Sequence, residues 1–377
     1  MEFELSETHR MFKQTMRDFA DNEIRPIAEE IDRKEFYPYE IYDRLAELGL
    51  AGAAFPEKYG GSDGDWLMLI LAMEELSRVS LGVSMAQGWA LYAPPVYLLG
   101  SEDQRMALLK PVIQGEKKGC FAMTEPDAGS DVNNVRTLAR LDGDHYIVNG
   151  NKIFITNASV SDHMLTVART RKERVGHQGL SLLIIDSNSP GITTRDLKKL
   201  GARGAPACEI AFEDVKVPSS RLVGEEGKGF YALTKVLALF RSLFGVLGVG
   251  VAQGAFDEAI QYARQRVQFG KPISKFQAIQ GMLANMYAEI ESARLMIYRS
   301  TWLFDQGLPC EKESAAAKLI ASEVAKRTAD KALYIFGGYG YMMETPIQRY
   351  FRDAKLIEIG EGTSEIQRMV IAKQLGL

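Results

Sequence analysis

The chain has 377 residues, which is more than one hydrophobic core usually serves, so we expect two or three domains. Hydrophobic residues make up 46% of it and charged residues 25%, an ordinary composition for a globular enzyme. The net charge of −4 argues against a basic surface for nucleic acid. The three cysteines are far apart in sequence, which argues against a disulfide framework and a cysteine-based zinc site, and we expect no metal.

We find no signal for export or membrane insertion in the sequence. The first residues, MEFELSETHR, lack the apolar core of a signal peptide. The longest apolar run, 243–252, is shorter than the roughly 18 residues that cross a bilayer, so it predicts a buried helix. We therefore expect a cytoplasmic protein.

Residues 1–118 are predicted to be helical. Ser6 can cap the first helix. The apolar face of that helix repeats with a period near 3.6 residues and holds Leu5, Phe12, Met16 and Phe19. Further along, Ser101 and Gln104 have the spacing of a capping box, which predicts another helix start.

Residues 119–226 change to a β-rich pattern. The stretch 146–156 places Asn149-Gly150 between two β-rich arms, which predicts a hairpin with its turn at that dipeptide. The apolar runs 182–185 and 209–212 are predicted as further strands. We expect a compact β-domain here.

Residues 227–377 return to a helical pattern. The segment 230–266 is long and apolar on most sides, so it should lie at the centre of a helical bundle. Two more helices are predicted at 277–304 and 314–336, the second ending at Gly337. Helices and strands thus occur in blocks, which predicts a β-domain between two helical domains rather than a doubly wound sheet.

Four glycines lie along the long apolar segment, at positions 245, 248, 250 and 254. Such a run could be mistaken for a dinucleotide-binding loop. No strand is predicted before it, so close helix packing is the better interpretation and an NAD-linked dehydrogenase is disfavoured.

The segment 358–368, EIGEGTSEIQR, is the most informative about chemistry. Ser364 and Gln367 predict a capping box that starts a helix. Glu361 lies in the turn before that helix, beside Gly362, which lets a ligand approach the backbone. A carboxylate on such a turn can project into a cleft. From local features alone, the alternative is an acidic residue favoured by the helix dipole.

Two other segments contain groups that suit a cofactor. Segment 121–131 combines hydroxyls, backbone donors and a glycine, which suits a polar heterocycle or a phosphate. Segment 264–272 has cations that could hold a pyrophosphate. The ordinary alternatives are a Pro/Gly/Asp turn and a charged helix end. Each motif is weak alone, but together and in this order they are specific.

In this order the motifs resemble the acyl-CoA dehydrogenase family over essentially the whole chain. The likeness is carried by segments 121–131, 146–157, 212–218, 224–230, 266–270, 276–277, 335–340 and 361–368. The resemblance implies an α+β multidomain fold with a helical domain at 1–118, a central β-barrel at 119–226 and a C-terminal four-helix bundle at 227–377. It also implies a homotetramer, with FAD bound between barrel and bundle.

The same resemblance assigns residues to FAD. Those that would face the flavin are Phe121, Met123, Thr124, Gly129, Ser130, Phe154, Ile155 and Thr156, with Thr156 near N5. Those that would hold the adenosine diphosphate of a neighbouring subunit's FAD are Arg266, Val267, Gln268, Phe269, Phe276 and Gln277. That second site would be completed by Tyr334, Ile335, Gly337, Gly338, Thr363 and Glu365.

The resemblance further implies a mechanism. Glu361 would remove the α-proton of an acyl-CoA thioester while the β-hydrogen passes as hydride to flavin N5. The thioester carbonyl would accept hydrogen bonds from the Glu361 backbone N–H and from a flavin ribityl hydroxyl. Burial should raise the pKa of Glu361 from about 4.3 toward neutrality. Some members carry the base on the long bundle helix, but Phe240 holds that position here. The reduced flavin would pass electrons to an electron-transferring flavoprotein, as in β-oxidation.

Departures from the family pattern bear on the substrate. Residues along the implied acyl-CoA path are Ser130, Trp89, Phe240, Arg241, Gly360 and Gly362. Gly360 replaces the usual tyrosine, which should open the pocket near the reacting carbons, and Ala238 replaces an aspartate that binds the CoA arm. These departures suggest a bulky, cyclic or aromatic acyl group with Phe240 and Trp89 as walls. A short linear or branched chain is an equal alternative.

Other functions of the same fold stay open at this point. An acyl-CoA oxidase or an enoyl-CoA reductase would use the same site with a different redox partner or in the reverse direction. A non-catalytic flavoprotein is a third possibility, against which the intact Glu361 argues.

Overall fold

The computed structural model describes residues 4–171 and 176–377. Its helices are α1 (Glu7–Phe19), α2 (Ala28–Lys34), α3 (Tyr39–Glu47), α4 (Trp66–Val79), α5 (Leu81–Met85), α6 (Trp89–Leu99), α7 (Glu102–Gln104), α8 (Lys110–Ile113), α9 (Gly229–Gln265), α10 (Gln277–Asp305), α11 (Glu311–Phe336), α12 (Ile347–Ile359) and α13 (Ser364–Gln374). Its strands are β1 (Gly119–Ala122), β2 (Leu138–Asp142), β3 (His145–Thr156), β4 (His163–Arg169), β5 (Leu180–Asp186), β6 (Ile192–Leu197), β7 (Ala207–Pro218), β8 (Leu222–Val223), β9 (Val267–Gln268) and β10 (Lys271–Pro272). The predicted succession of helical, β and helical blocks is confirmed.

Two helix starts in the N-terminal block follow their capping residues. The Ser6 hydroxyl accepts a hydrogen bond from a backbone N–H of the first turn of α1, and the inner face of that helix buries Met16 and Phe19. Ser101 and Gln104 make both bonds of the predicted capping box at the start of α7. Both predictions are confirmed, because a side-chain oxygen satisfies N–H groups that the first turn leaves without a helical partner.

An eight-stranded sheet forms the middle of the chain. Within the described residues its strands follow the order β6-β7-β3-β2-β4-β5-β8, and β1 pairs with β4. Most pairs are antiparallel, whereas β4 pairs in parallel with both β1 and β2. The predicted strands at 182–185 and 209–212 lie within β5 and β7. The inward-facing side chains, among them Val148 and Phe212, form a core separate from that of the helices.

The predicted hairpin turn at Asn149-Gly150 is wrong. β3 continues through both residues, and its register against β7 shifts between Val148 and Gly150. A β-carbon on Gly150 would lie 2.7 Å from Thr137 Cα, so this glycine serves a bulge where two strands approach closely. The turn between β2 and β3 is instead Gly143-Asp144.

Helix α9 lies at the centre of the C-terminal bundle, in contact with α4, α10, α11 and α12. It is long and apolar enough to cross a membrane, yet 83% of its most apolar 18-residue window is buried inside the fold. A β-carbon on Gly250 would overlap Ser77 Oγ, and one on Gly254 would overlap the Arg78 carbonyl oxygen. These glycines therefore seat α4 on α9, which confirms the packing interpretation of the glycine run.

The two following helices match their predicted positions. α10 and α11 cover the predicted segments 277–304 and 314–336. α11 ends at Gly337, whose φ of +60° is a conformation that glycine adopts without strain. The chain then continues through α12 to the turn that carries Glu361.

Candidate active site

The turn Gly360-Glu361-Gly362 joins α12 to α13. Glu361 has φ +52° and Gly362 has φ +85°, so both lie in the left-handed region. That conformation strains a residue with a β-carbon, such as Glu361, and strain of this kind is concentrated at functional sites. Glycine suits position 362, because its φ of +85° strains any residue with a β-carbon and such a β-carbon would also displace Gln367 Nε2, 2.7 Å away, from the turn.

The predicted capping box of Ser364 and Gln367 is wrong by one residue. Thr363 caps α13, and its hydroxyl accepts a hydrogen bond at 3.4 Å from the backbone N–H three residues on. Ser364 is the first helical residue. The Gln367 side-chain amide turns back and donates to the carbonyl oxygen of Glu361 at 3.1 Å and to that of residue 362 at 3.0 Å. Gln367 therefore holds the turn rather than capping the helix.

A buried lysine contacts the same turn. Lys318, on α11, has no exposed surface, and its ammonium donates to the Gly362 carbonyl oxygen at 2.7 Å. Its Nζ atom also lies 5.8 Å from the centroid of the Phe244 ring. Burial lowers the pKa of Lys318 to about 8, so the side chain is still predominantly a cation at neutral pH.

The Glu361 carboxylate lies in a desolvated environment near two cations. Burial raises the pKa of Glu361, and the charges of Arg241 and Lys318 oppose that rise. Arg241, on α9, makes no hydrogen bond or ion pair with another residue in the described part of the chain. A carboxylate with a raised pKa beside an unpaired guanidinium is typical of a site that receives a polar ligand.

Aromatic rings pack around the turn. A β-carbon on Gly360 would lie 2.5 Å from Phe244 Cζ, so the Phe244 ring occupies the space beside that glycine. Gly360 was expected to open the pocket, but where the glycine faces α9 the Phe244 ring fills the space instead. Phe240 is buried and packs edge to face on Phe121, with ring centroids 5.8 Å apart. Trp89, the other predicted wall, is buried in α6.

Strands β1 and β3 bring the two predicted flavin-facing segments together. The Ile153 N–H donates to the Thr124 carbonyl oxygen at 3.0 Å, and the Lys152 ammonium donates to the Met123 carbonyl oxygen at 2.8 Å. Lys152 also makes a buried ion pair with Glu125 at 2.9 Å. These non-local contacts hold the loop after β1 against the end of β3.

The residues at this β-domain edge differ in what they can offer a ligand. Phe154 has φ +60°, and 66% of it is exposed, so it is a strained aromatic residue open to solvent. Ile155 is buried in the β core, so only its backbone can face a ligand. Gly129 and Ser130 are exposed in the loop that follows β1.

A groove of about 480 Å³ lies between the ends of α9 and α11. The predicted adenosine-diphosphate residues that line it are Arg266, Gln268, Ile335, Gly337 and Gly338. Beside it, Phe269 is 93% exposed and packs against Phe276 with ring centroids 6.1 Å apart. Tyr334 is exposed on the last turn of α11, and Gln277 is exposed at the start of α10. Thr363 and Glu365 lie elsewhere, next to Glu361.

Sequence reasoning missed several residues that shape the site. Lys318 is a cation on a buried, alanine-rich face of α11, and Lys152 holds a buried position in an alternating strand. Each pattern could have indicated a structurally important residue, because a lysine in a buried position requires a specific partner. Phe244 had no local signal. No group of three or more potential metal ligands lies together among the residues that the structure describes.

Three family models match consecutive parts of the chain. They are the acyl-CoA dehydrogenase N-terminal domain at residues 6–116, the middle domain at 120–215 and the C-terminal domain at 227–376. The chain belongs to the acyl-CoA dehydrogenase family. Members of this family are FAD-dependent oxidoreductases, which confirms the predicted cofactor and class of enzyme.

Individual relatives cover the whole chain. The probable acyl-CoA dehydrogenase YngJ of Bacillus subtilis is 46% identical over 100% of both chains. A 3-(aryl)acrylate reductase of Clostridium sporogenes is 42% identical over 98% of this chain and 99% of its own. The solved structure of butyryl-CoA dehydrogenase from Megasphaera elsdenii is 40% identical over 100% of both chains, with a TM-score of 0.97.

The residues present in this acyl-CoA dehydrogenase fit FAD. Ser364 Oγ and Gln367 Oε1 are buried and have no hydrogen-bond partner in the described part of the chain, so a bound polar group can satisfy them. Both lie at the N-terminal end of α13, where free backbone N–H groups favour an anion. Phe154 offers an exposed ring, and the groove at Gly337 has the open space that a nucleotide requires.

Proposed function

We propose that the protein catalyses α,β-dehydrogenation of an acyl-CoA thioester to the trans-2-enoyl-CoA, with Glu361 as the base that removes the α-proton. The observation that carries the proposal is the Glu361 carboxylate, held on a strained turn with its pKa raised by burial. A base whose pKa is shifted toward neutrality matches proton abstraction at neutral pH.

The backbone of the same turn supplies the second element of the mechanism. The Glu361 N–H donates to no other residue in the described part of the chain, so it is free to donate to the thioester carbonyl oxygen. Such a donor stabilises the enolate-like charge that develops as the α-proton leaves. Bound FAD would accept the β-hydrogen as a hydride. The protein would hold the α-carbon at the carboxylate and exclude water from both groups.

Two sets of residues would hold the cofactor. The flavin would lie against the β-domain edge formed by segments 121–124 and 154–156, which the contacts of Lys152 hold together. The groove lined by Arg266 and Gly337 would receive the adenosine diphosphate of a second copy's FAD. The exposed Phe269 ring beside it supports this, because it is free to contact a second copy. We therefore also propose a homotetramer. Light scattering would measure the number of chains in the assembly, and absorbance would measure the ratio of flavin to protein.

We infer that the acyl group is short. The Phe244 ring occupies the space beside Gly360, and Phe240 is buried against Phe121, so the walls near the turn are already closely packed. The structural relative from Megasphaera elsdenii is a butyryl-CoA dehydrogenase. A bulky or aromatic acyl group is the alternative, favoured by the relative that is a 3-(aryl)acrylate reductase and by the aromatic walls themselves.

Electrons would leave through an electron-transferring flavoprotein. The same carboxylate and the same donor serve the reverse reaction, so an enoyl-CoA reductase would need no change in this site. Initial rates of acyl-CoA oxidation and of enoyl-CoA reduction, measured with redox partners of matched potential, distinguish a dehydrogenase from a reductase.

The base assignment is tested with Glu361→Gln. The variant keeps the size of the side chain but removes the proton acceptor, so we expect it to purify yellow and to fail to bleach with an acyl-CoA that bleaches the wild type under anaerobic conditions. Glu116→Gln, which changes an exposed carboxylate before β1, is the control and should bleach normally. Bleaching of Glu361→Gln at the wild-type rate would remove Glu361 from its role.

The substrate is tested with a panel of thioesters. We expect kcat/KM to be highest for butyryl-CoA or isobutyryl-CoA and lower for cyclohexanecarboxyl-CoA, benzylsuccinyl-CoA and 3-phenylpropionyl-CoA. A clear optimum for one of the last three would reject the short-chain proposal and support the bulky or aromatic alternative.

A further inference from the structure

Two side chains from different helices hold the carbonyl groups of the Glu361 turn. Gln367, on α13, donates to the carbonyl oxygens of Glu361 and Gly362, and Lys318, on α11, donates to that of Gly362. Because each peptide group is planar, fixing these two oxygens fixes the two peptide planes that follow the Glu361 α-carbon. The turn therefore cannot relax from its left-handed conformation without breaking these bonds.

The Gly362 carbonyl oxygen does not by itself explain the lysine. It already accepts a hydrogen bond from Gln367 at 3.0 Å, so a neutral donor satisfies it. Burial of an ammonium is far more unfavourable than burial of an amide unless a negative charge compensates it. Lys318 has no exposed surface and makes no ion pair closer than 4.0 Å in the described part of the chain. Its positive charge needs a partner that the hydrogen bonds do not supply.

We infer that Lys318 and Gln367 are positioning residues for the base: both fix the Glu361 turn, and the ammonium of Lys318 favours the carboxylate form of Glu361. The inference rests on the proposed function, because it assigns Lys318 a role in the protonation of Glu361. It goes beyond that function by naming the groups that keep a desolvated base ready to accept a proton. In this role Lys318 touches neither substrate nor cofactor.

The charged groups around Lys318 and Glu361 support the electrostatic role of Lys318. Glu361 interacts with the cations Arg241 and Lys318, whose charges both lower its pKa. Lys318 interacts in turn with Glu361, Glu358 and Glu365, in that order of strength. Glu358 already has two lysine partners on the surface, and Glu365 is exposed. Glu361 is thus the carboxylate with which the Lys318 charge interacts most strongly.

The test compares Lys318→Met with Gln367→Leu in the FAD-loaded enzyme. Lys318→Met removes one hydrogen bond to the turn and Gln367→Leu removes two, so kcat should fall by about tenfold or more in each, with a smaller change in KM. Only Lys318→Met also removes a charge, so only there should the acid limb of the kcat/KM profile move up, by about one pH unit. Lys326→Met, which removes an exposed lysine from the same helix, should change neither quantity.

The outcomes separate this inference from the proposed function. If Glu361→Gln is inactive while Lys318→Met keeps the wild-type kcat and acid limb, the positioning role is wrong and the base assignment stands. Equal acid limbs in Lys318→Met and Gln367→Leu would likewise reject the electrostatic part. If Lys318→Met does not fold, Lys318→Gln tests the electrostatic part by itself, because it removes the charge but keeps an amide donor, and an unchanged acid limb would reject that part. If Glu361→Gln is active, both proposals fail.

Discussion

The Phe244 ring lies where a side chain on residue 360 would begin. A β-carbon on Gly360 would be 2.5 Å from Phe244 Cζ and 2.9 Å from Cε1, so the two positions cannot both carry large groups in this backbone. Phe244 comes from the centre of α9 and Gly360 from the turn before α13, and their contact joins the core of the bundle to the candidate base. Residues 244 and 360 together therefore determine the shape of the pocket beside Glu361.

The pair predicts a non-additive double mutant. Gly360→Ala should lower the free energy of unfolding by about 1–3 kcal/mol, because the added methyl group overpacks the site, and should lower kcat/KM with it. Phe244→Ala is itself destabilising because it leaves a cavity, but in that background Gly360→Ala should cost much less, because the clashing ring is absent. Thermal unfolding and steady-state kinetics of both single variants and the double variant measure the coupling. Strictly additive effects would show that the two residues do not share this space.

The raised pKa of Glu361 predicts the acid side of the pH profile. The base works when deprotonated, so activity is lost as the pH falls through the pKa of Glu361 in the free enzyme. Burial raises that pKa, so the acid limb of kcat/KM should lie above the pH at which an ordinary glutamate titrates, about 4.3. Rates at constant ionic strength across the acidic range test this. A profile that stays flat down to the ordinary glutamate value would contradict the buried-base assignment.

The buried pair of Lys152 and Glu125 should contribute strongly to stability at the β-domain edge that we propose faces the flavin. Lys152→Met should destabilise the fold by about 3–5 kcal/mol, because it leaves a buried carboxylate without its cation. Adding Glu125→Gln should recover part of the loss. Lys198→Met removes a 91% exposed lysine that pairs with Glu35, and it should change stability by less than about 0.5 kcal/mol. Urea unfolding measures all of these variants.

The same pair gives a pH dependence with a definite sign. Burial alone would raise the pKa of Glu125, but the charge of Lys152 and the hydrogen bonds to the carboxylate outweigh it and lower that pKa. A carboxyl group with a lowered folded-state pKa stabilises the fold above its unfolded pKa, and this contribution is lost as the pH falls through the folded value. The stability difference between wild type and the double variant should therefore shrink in acid. A difference that grows on acidification would reverse the assignment.

Alanine substitutions of a glycine on α9 and a glycine on α10 should have opposite effects on stability. Gly250→Ala should destabilise the protein by more than about 1 kcal/mol, because its β-carbon would overlap Ser77 Oγ and lie 2.5 Å from the Glu74 carbonyl oxygen. Gly281→Ala on α10 meets nothing within 4 Å, so it should stabilise by about 0.4–1 kcal/mol. Melting temperatures of the two variants should move in opposite directions. A neutral Gly250→Ala would refute the close packing of α4 on α9.

Local signals account for much of what could be predicted from the sequence. Ser6 caps α1 and Gly337 ends α11, because a capping hydroxyl and a glycine stop act within a few residues. The Asn149-Gly150 turn failed because pairing of β3 with β7, about sixty residues away, overrides the turn preference of the dipeptide. Thr363, one residue earlier than predicted, caps α13, and Gln367 instead binds the turn that carries Glu361.

By itself the sequence determined the order of helical and β blocks, the glycine packing of α9, and the turn on which Glu361 stands, since hydrophobic period and turn chemistry are properties of neighbouring residues. Tertiary structure alone decided which groups surround that carboxylate. Lys318 is separated from Gly362 by 44 residues, and Phe244 comes from yet another helix, so only the packing of α9, α11 and α13 brings the cation, the ring and the turn together. Electrostatic and steric effects depend on distance in space, and separation along the chain does not report it.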